Sequence, residues 1–264
     1  MRVLLPRAFR ARVSLRRLRP ARLPLCCPNM ATDATATAVE IQRLELPHVA
    51  QAAIMLERAF DNEYSWSRPL QMPTERFRFW MSHLYLPERA ACSAPASLVA
   101  TREGGTSSEP VVAGVCTLED FYAPEAPEAE ENPPPGMRAI DGILGECKNI
   151  FHSEALRRGL AVEKGRLGKV AYVAFLAVDS EVRRHRVGHR LVEQAVEQLT
   201  GRDGFTIVVA FCTSFKSRAL FKGAGFEHWG GVSYQEYTID GATPFASLPK
   251  DECAVLVWTA HKAI

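Results

Sequence analysis

The chain has 264 residues, 47% of them hydrophobic, enough to bury one sizeable core, and a net charge of +2. No run approaches the ~18 consecutive apolar residues of a membrane span. The positive balance belongs to residues 1–30, whose eight arginines face no acid, so the remainder carries −6. A mildly acidic body with no basic stripe excludes nucleic acid as a partner, and seven cysteines without C-x-x-C or zinc spacing point to a reduced intracellular compartment.

Residues 1–30, MRVLLPRAFRARVSLRRLRPARLPLCCPNM, interleave arginine with Leu, Val and Phe. That is the composition of an organelle transit peptide, whereas a secretory signal needs a continuous apolar middle. A mitochondrial address is the first expectation; the alternative is that translation starts at Met30. Residues 39–46 alternate as a first strand, and 47–61 read as a helix with Val49, Ala52, Ala53, Leu56 and Phe60 on one face. Pro73 opens a second helix reaching about Leu86, with Phe77, Trp80, Met81 and Leu84 as its apolar stripe. Strands at 97–101 and 111–118 follow, joined by a hairpin loop at 103–108. The acidic, proline-rich stretch 123–136, APEAPEAEENPPPG, cannot bury enough apolar surface to order itself. It reads as a solvated loop or as a substrate gate. A helix over about 137–161 then leads to a strand at Lys169.

The densest signal lies at residues 170–199, VAYVAFLAVDSEVRRHRVGHRLVEQAVEQL. An unbroken apolar strand runs into a turn crowded with Arg183, Arg184 and Arg186, and then into an amphipathic helix entered past Gly188. The first N–H groups of a helix have no internal partner, and the macrodipole adds roughly half a positive charge there, so an anion docks at such a turn. The turn has neither the G-x-G-x-x-G of a dinucleotide site nor the G-x-x-x-x-G-K-[ST] of a nucleotide loop. A different phosphate-bearing ligand is expected. Residues 206–212 form a second apolar strand, so the segment is a βαβ unit with parallel strands. Ligands of such sheets sit beyond the carboxyl ends of the strands, here Leu176, Ala177 and Val178 together with 212–214. His185, Val187, Gly188 and His189 complete the binding set, although the two histidines also read as a solvated helix surface.

The turn 183–188, RRHRVG, resembles the acetyl-CoA loop of the GCN5-related N-acetyltransferase superfamily, R/Q-x-x-G-x-G/A. Arg183 and Gly188 stand at its ends, and Arg186 replaces the middle glycine. A side chain there requires a negative φ with the side chain turned away from the pyrophosphate, or a guanidinium that itself reaches a phosphate. Downstream, 214–226 resembles the superfamily's N-x-x-A-x-x-x-Y-x-x-x-G-F. Ser214, Ser217 and Phe221 fall at the Asn, Ala and Tyr positions, and Phe221 has no hydroxyl to protonate a leaving thiolate. Residues 213–217, TSFKS, fit the TS-x-x-S of the arylalkylamine N-acetyltransferase branch. The tail is similar to that branch too, through Tyr234 and Tyr237, Asp240-Gly241 and a last apolar strand at 254–258.

The likeness runs from about Val39 to the end and implies an N-acetyltransferase domain over 38–264. The implied α/β fold has a mixed, mostly antiparallel sheet of about seven strands, with splayed parallel fourth and fifth strands flanked by helices. Acetyl-CoA is the implied cosubstrate and a small-molecule primary amine, first of all an arylalkylamine, the implied acceptor. Polyamines and protein amino groups stay open because a fold does not define the acceptor.

An alkylamine with a pKa near ~10.4 is almost wholly protonated at neutral pH and must lose a proton before it attacks. Glu63 is the expected base, because Phe60-Asp61-Asn62-Glu63 is similar to the F-x-x-E-P segment of the arylalkylamine branch, with Tyr64 in place of proline. Glu63 and Asp61 also read as solvated acids at a helix end. A backbone N–H near Leu176, freed by a strand bulge, is the expected oxyanion donor. Ser217 or Ser214 is the expected helper for the departing thiolate, against the alternatives of a small packing residue and a helix N-cap. Phe215, Trp229, Tyr234 and Trp66 form an amine pocket or fill the core. His228 reads as a shuttle or as strand packing. Cys212, inside an apolar run, does not invite a covalent intermediate. The competing reading is a catalytically silent CoA-binding or partner-binding domain, supported by Arg186 and Phe221.

Overall fold

From the amino end, β1 (Val39–Arg43) passes through α1 (Val49–Glu63), α2 (Ser67–Leu70), α3 (Thr74–Trp80) and α4 (Leu86–Ala91) to the hairpin β2 (Leu98–Glu103) and β3 (Pro110–Asp120). The long α5 (Pro135–Arg157) precedes β4 (Val170–Val178), α6 (Val187–Gly201), β5 (Ile207–Cys212), α7 (Phe215–Gly223), β6 (Glu227–Ser233) and β7 (Cys253–Ala260). The structure, a computed structural model, describes residues 39–63, 67–70, 74–104, 110–123, 135–160, 162–248 and 253–260. The arginine-rich opening, Tyr64, Trp66, most of the hairpin loop and nearly all of the 123–136 insertion lie outside them.

The seven strands make one sheet in the order β1-β2-β3-β4-β5-β7-β6. Only β4 and β5 are parallel; every other neighbouring pair is antiparallel. One face is covered by α6 and α7. Val187, Leu191, Val192, Ala195 and Leu199 recur at helical spacing along α6 and pack on Ala171, Val173, Val208 and Ala210 of the sheet. The other face carries two separate cores. Val49, Ala52, Ala53 and Leu56 of α1 cover Val99, Val112, Val115 and Ala177. Ala139, Ile143, Cys147, Phe151 and Ala155 of α5 cover Val170, Ile207, Val209 and Trp229. Each fully buried large side chain in these clusters contributes roughly 1.5–3 kcal/mol.

The second helix departs from its expected stripe. Between α3 and α4 the backbone forms a π-turn, Met81–Tyr85, in which the Leu86 N–H bonds back to the Met81 carbonyl. The reason is Pro87, at the start of α4: it has no N–H for the carbonyl four residues earlier, and its ring crowds that carbonyl, so the turn widens. The extra residue rotates the face. Met81 and Tyr85 are buried, while Leu84 is 40% exposed and Trp80 39% exposed.

The pairing of β3 with β4 is also irregular. Thr117 stands opposite Phe175 but Leu118 opposite Val173, which leaves Ala174 as an extra residue in β4. Such a bulge bends its strand and increases the local twist.

Gly142 marks how closely α5 approaches the chain after β6. A Cβ on it overlaps the Tyr237 hydroxyl and comes within 3.4 Å of the ring carbon that bears it. Gly142→Ala is expected to lower stability by ~1–3 kcal/mol in denaturant unfolding. Adding Tyr237→Phe should recover most of that loss; equal stability of the single and double variants would show that the hydroxyl is not the obstacle.

Candidate active site

The parallel ladder of β4 and β5 is short. It runs from Val170↔Ile207 to Val173↔Ala210 and stops, although β4 continues to Val178 and β5 to Cys212. Past that point β4 stays on β3 and β5 stays on β7, Cys212 facing Val255. The Ala174 bulge lies at the apex of the opening, two residues before the position expected for it. The Asp179 N–H donates to the Ala113 carbonyl at 2.9 Å. Antiparallel alternation then turns the Ala177 amide toward β3 and those of Leu176 and Val178 toward the opening.

Asp179 caps the link to α6. Its carboxylate accepts from the Glu181 N–H at 3.1 Å and starts a 3-10 turn over Ser180–His185. Val182 is buried beneath the turn, Glu181 pairs with Arg102 of β2, and the Arg183 Nε–H donates to the Val178 carbonyl at 3.2 Å. Arg183, His185 and Arg186 are exposed, whereas the Arg184 side chain lies outside the described residues.

Two expectations are corrected here. The helix begins at Val187, before Gly188, with Arg186 as its N-cap; and Arg186 has φ 55° and ψ 23°, a left-handed conformation, not the negative φ required of a side chain turned away from a phosphate. Arginine thus holds the backbone shape that glycine supplies in the family loop, at a steric cost of roughly 1 kcal/mol. Gly188 is needed for closeness instead. A Cβ on it comes within 2.8 Å of a Leu220 methyl and 3.3 Å of a Val178 methyl, so its absence lets the first turn of α6 settle between α7 and β4. His189 lies beside Gly223 and pairs with Glu193 at 3.4 Å, which ties it to the helix surface.

Ser214 and Ser217 close on each other at the start of α7, just past the carboxyl end of β5. The Ser214 Oγ accepts from the Ser217 N–H and the Ser217 Oγ from the Ser214 N–H, each at 3.3 Å, and the Ser217 hydroxyl donates to the Ser214 carbonyl at 2.9 Å. This capping box satisfies two N–H groups at the helix start. Phe221 and Cys212 are buried in the core under α6 and α7. His228 is exposed on β6.

Of the rings read either as an amine pocket or as core, Trp229 and Tyr234 are core, and Trp66 lies outside the described residues. Trp229 is buried, stacked on Phe151 at 5.8 Å and beneath the Arg158 guanidinium at 4.5 Å. Tyr234 is fully buried with its hydroxyl donating to the Thr213 carbonyl at 3.0 Å, and Phe215 is 51% exposed. Glu63 ends α1 one turn beyond Phe60; its side chain, like Asp61's, lies outside the described residues.

A different cluster stands at the apex of the opening, on the face covered by α1. Phe175, the residue after the bulge, is ringed by Phe60 (5.5 Å), Phe77 (6.3 Å), Trp80 (6.2 Å) and Tyr85 (5.2 Å), measured between ring centroids. Beneath the rings lies a polar chain. The Phe175 N–H donates to the Thr117 Oγ1 at 2.9 Å, the Thr117 and Tyr85 hydroxyls are 3.0 Å apart, and the Tyr85 hydroxyl donates to the Glu119 Oε1 at 2.5 Å. Burial pushes the Glu119 carboxyl above the usual carboxylate range, against the opposing pull of the Tyr85 hydrogen bond and the Arg89 charge. Burial, then the Glu119 charge, puts the Tyr85 phenol well above its ordinary value. The sequence held a signal for this cluster: Thr117 and Glu119 stand two apart near the end of a central strand that is apolar up to Thr117, so both face one side of the sheet. Among the described residues, no group of three or more His, Cys, Asp or Glu side chains is arranged to hold a metal ion.

Solved structures share this fold at low identity. The C-terminal condensation domain of Ebony, in complex with beta-alanyl-dopamine, has a TM-score of 0.66 at 17% identity, covering 85% of this chain and 100% of its own. Arylalkylamine N-acetyltransferase like 5b of mosquito gives 0.65 at 19%, again over 85% and 100%, and polyamine N-acetyltransferase of Drosophila melanogaster 0.57 at 18% over the same shares. At these identities the likeness is one of fold. No curated protein matches the chain. The model of the Acetyltransferase (GNAT) family matches residues 56–226, and the chain belongs to that family.

Proposed function

We propose that this protein transfers the acetyl group of acetyl-CoA to a primary amine of a small molecule by direct attack. The observation that carries the reading is the opening between β4 and β5, lined by the Leu176 and Val178 amides and ending at the amino end of α6. A 15-residue helix whose N-cap makes no side-chain hydrogen bond fits a diphosphate. Arg183 is tied to the Val178 carbonyl and braces the loop. With a negative φ ruled out at Arg186, its exposed guanidinium is read as reaching a phosphate itself.

In this reading the ammonium substrate first gives up a proton to a carboxylate. The family resemblance assigns that proton to Glu63. The freed nitrogen lone pair attacks the thioester carbonyl carbon, forming the C–N bond, and the charge on the carbonyl oxygen falls to the Leu176 or Val178 N–H. The C–S bond then breaks. Ser217, with Ser214 behind it, relays the second amine proton to the departing thiolate from the amino end of α7. An arylalkylamine is the preferred acceptor, supported by the partly exposed rings around Phe175 and by the fold shared with the mosquito arylalkylamine N-acetyltransferase like 5b.

The decisive measurement is thiol release from acetyl-CoA across a panel of arylalkylamines, polyamines and lysine peptides, with the fastest turnover expected on arylalkylamines. Tight binding of acetyl-CoA with no release on any acceptor would instead favour the silent-domain reading. Two loop variants are expected to separate strain from contact. Arg186→Gly should raise Tm by about 2–4 °C by relieving the left-handed arginine, while weakening acetyl-CoA about tenfold through loss of a charge-assisted hydrogen bond. Gly188→Val should lower both stability, by ~1–3 kcal/mol, and acetyl-CoA affinity, read by calorimetry.

A further inference from the structure

We infer that Glu119, with Tyr85 and Thr117 behind it, takes the proton from the ammonium substrate in place of the Glu63 that the family resemblance offers. This rests on the acetyl-transfer reading and deepens it. Glu119 stands opposite Tyr172, one rung before Val173, where the parallel ladder ends, and two before the bulged Ala174. Neighbouring strands lie ~4.8 Å apart and each residue advances ~3.4 Å. Glu119 therefore stands on the neighbouring strand within one to two residues of the apex, where the strands begin to part.

The surroundings suit a cation that must become neutral. Phe60, Phe77, Trp80 and Tyr85 gather around Phe175 as an apolar rim, with Trp80 39% exposed, against which the carbon skeleton of the amine packs. Tyr85 has one hydroxyl hydrogen and gives it to Glu119. Thr117, which accepts the Phe175 N–H, has its own hydrogen left for the Tyr85 oxygen. The chain thus runs in one direction, from the backbone of the bulge to the carboxylate, and orients the free carboxylate oxygen. The charged and titratable groups around Glu119 are Glu88 and Arg89 of α4, Lys148 of α5, Tyr85 and Tyr172. Arg89 and Lys148 favour the ionised carboxylate; Glu88 and burial oppose it.

The step balances. An N–H bond of the ammonium breaks, its proton goes to the Glu119 oxygen, and the electron pair stays on nitrogen for attack on the thioester carbon. The proton returns to solvent after the amide and CoA thiol have left.

The test is the pH profile of kcat/KM for a primary amine with wild type, Glu119→Gln, Tyr85→Phe and Glu63→Gln, alongside Tm and acetyl-CoA binding by calorimetry. Wild type should rise with pH as Glu119 ionises, above the ordinary glutamate range, and then level off. Glu119→Gln should lose about 100-fold or more in kcat near neutrality with acetyl-CoA affinity retained. It should also lose the plateau, its rate climbing tenfold per pH unit toward the amine pKa of ~10.4, because only free amine then reacts. Tyr85→Phe removes a hydrogen bond to the ionised carboxylate and should move the rising limb to higher pH, a shift that a merely structural role would not produce. That shift decides the matter if Glu119→Gln does not fold. Wild-type kcat and an unchanged plateau in Glu119→Gln, with Glu63→Gln alone inactive, overturn the assignment while leaving acetyl transfer intact. Absence of turnover by wild type on every amine overturns acetyl transfer itself, and the role of Glu119 with it.

Discussion

Two parallel strands that begin as partners and then part set the terms for the rest of this molecule. β4 and β5 share a ladder only as far as Val173 and Ala210. Each can leave the other because each keeps a partner on its far side, β3 for β4 and β7 for β5. The separation therefore costs one row of hydrogen bonds and no exposed sheet edge beyond the gap. The bulge at Ala174 supplies the bend. What remains is a wedge toward which strand alternation turns the half-buried Leu176 and Val178 amides, donors for an acceptor that enters it.

Helix starts gather at the same end. α6 and α7 both begin just past the carboxyl ends of these strands, so their free N–H groups and positive dipole ends lie beside the wedge. The two starts are built differently. α7 satisfies its own donors through the Ser214–Ser217 box. α6 has no side-chain cap and begins from a left-handed arginine. Gly188, with no Cβ, lets that end lie against Val178 and Leu220.

The opposite face shows how a carboxylate is kept inside an apolar sheet. Glu119 faces burial that disfavours its charge, and the Tyr85 hydroxyl and the Arg89 guanidinium offset part of that penalty. Tyr85 is in place because the π-turn before Pro87 rotates it inward. A proline's missing N–H thus decides, several bonds away, which ring meets the carboxylate.

Much of this was legible in the residues. The uninterrupted apolar run of β4, the arginine-rich turn and the amphipathic α6 identify a βαβ unit, since periodicity is a local property. The S-x-x-S spacing at 214–217 likewise encodes its own cap. Whether Trp229 and Tyr234 line a pocket or fill the core stayed open in the sequence because an aromatic side chain looks the same in both; packing against Phe151, Arg158 and Phe245 puts them in the core. The sign of φ at Arg186, the position of the bulge and the meeting of Tyr85 with Glu119 belong to tertiary structure. Each depends on contacts between segments far apart in the chain, and no local pattern records which distant partner a side chain will find. Sequence alone determined the strands and helices and their βαβ order around the arginine-rich turn; the folded sheet decided where its strands part and which carboxylate stands at that point.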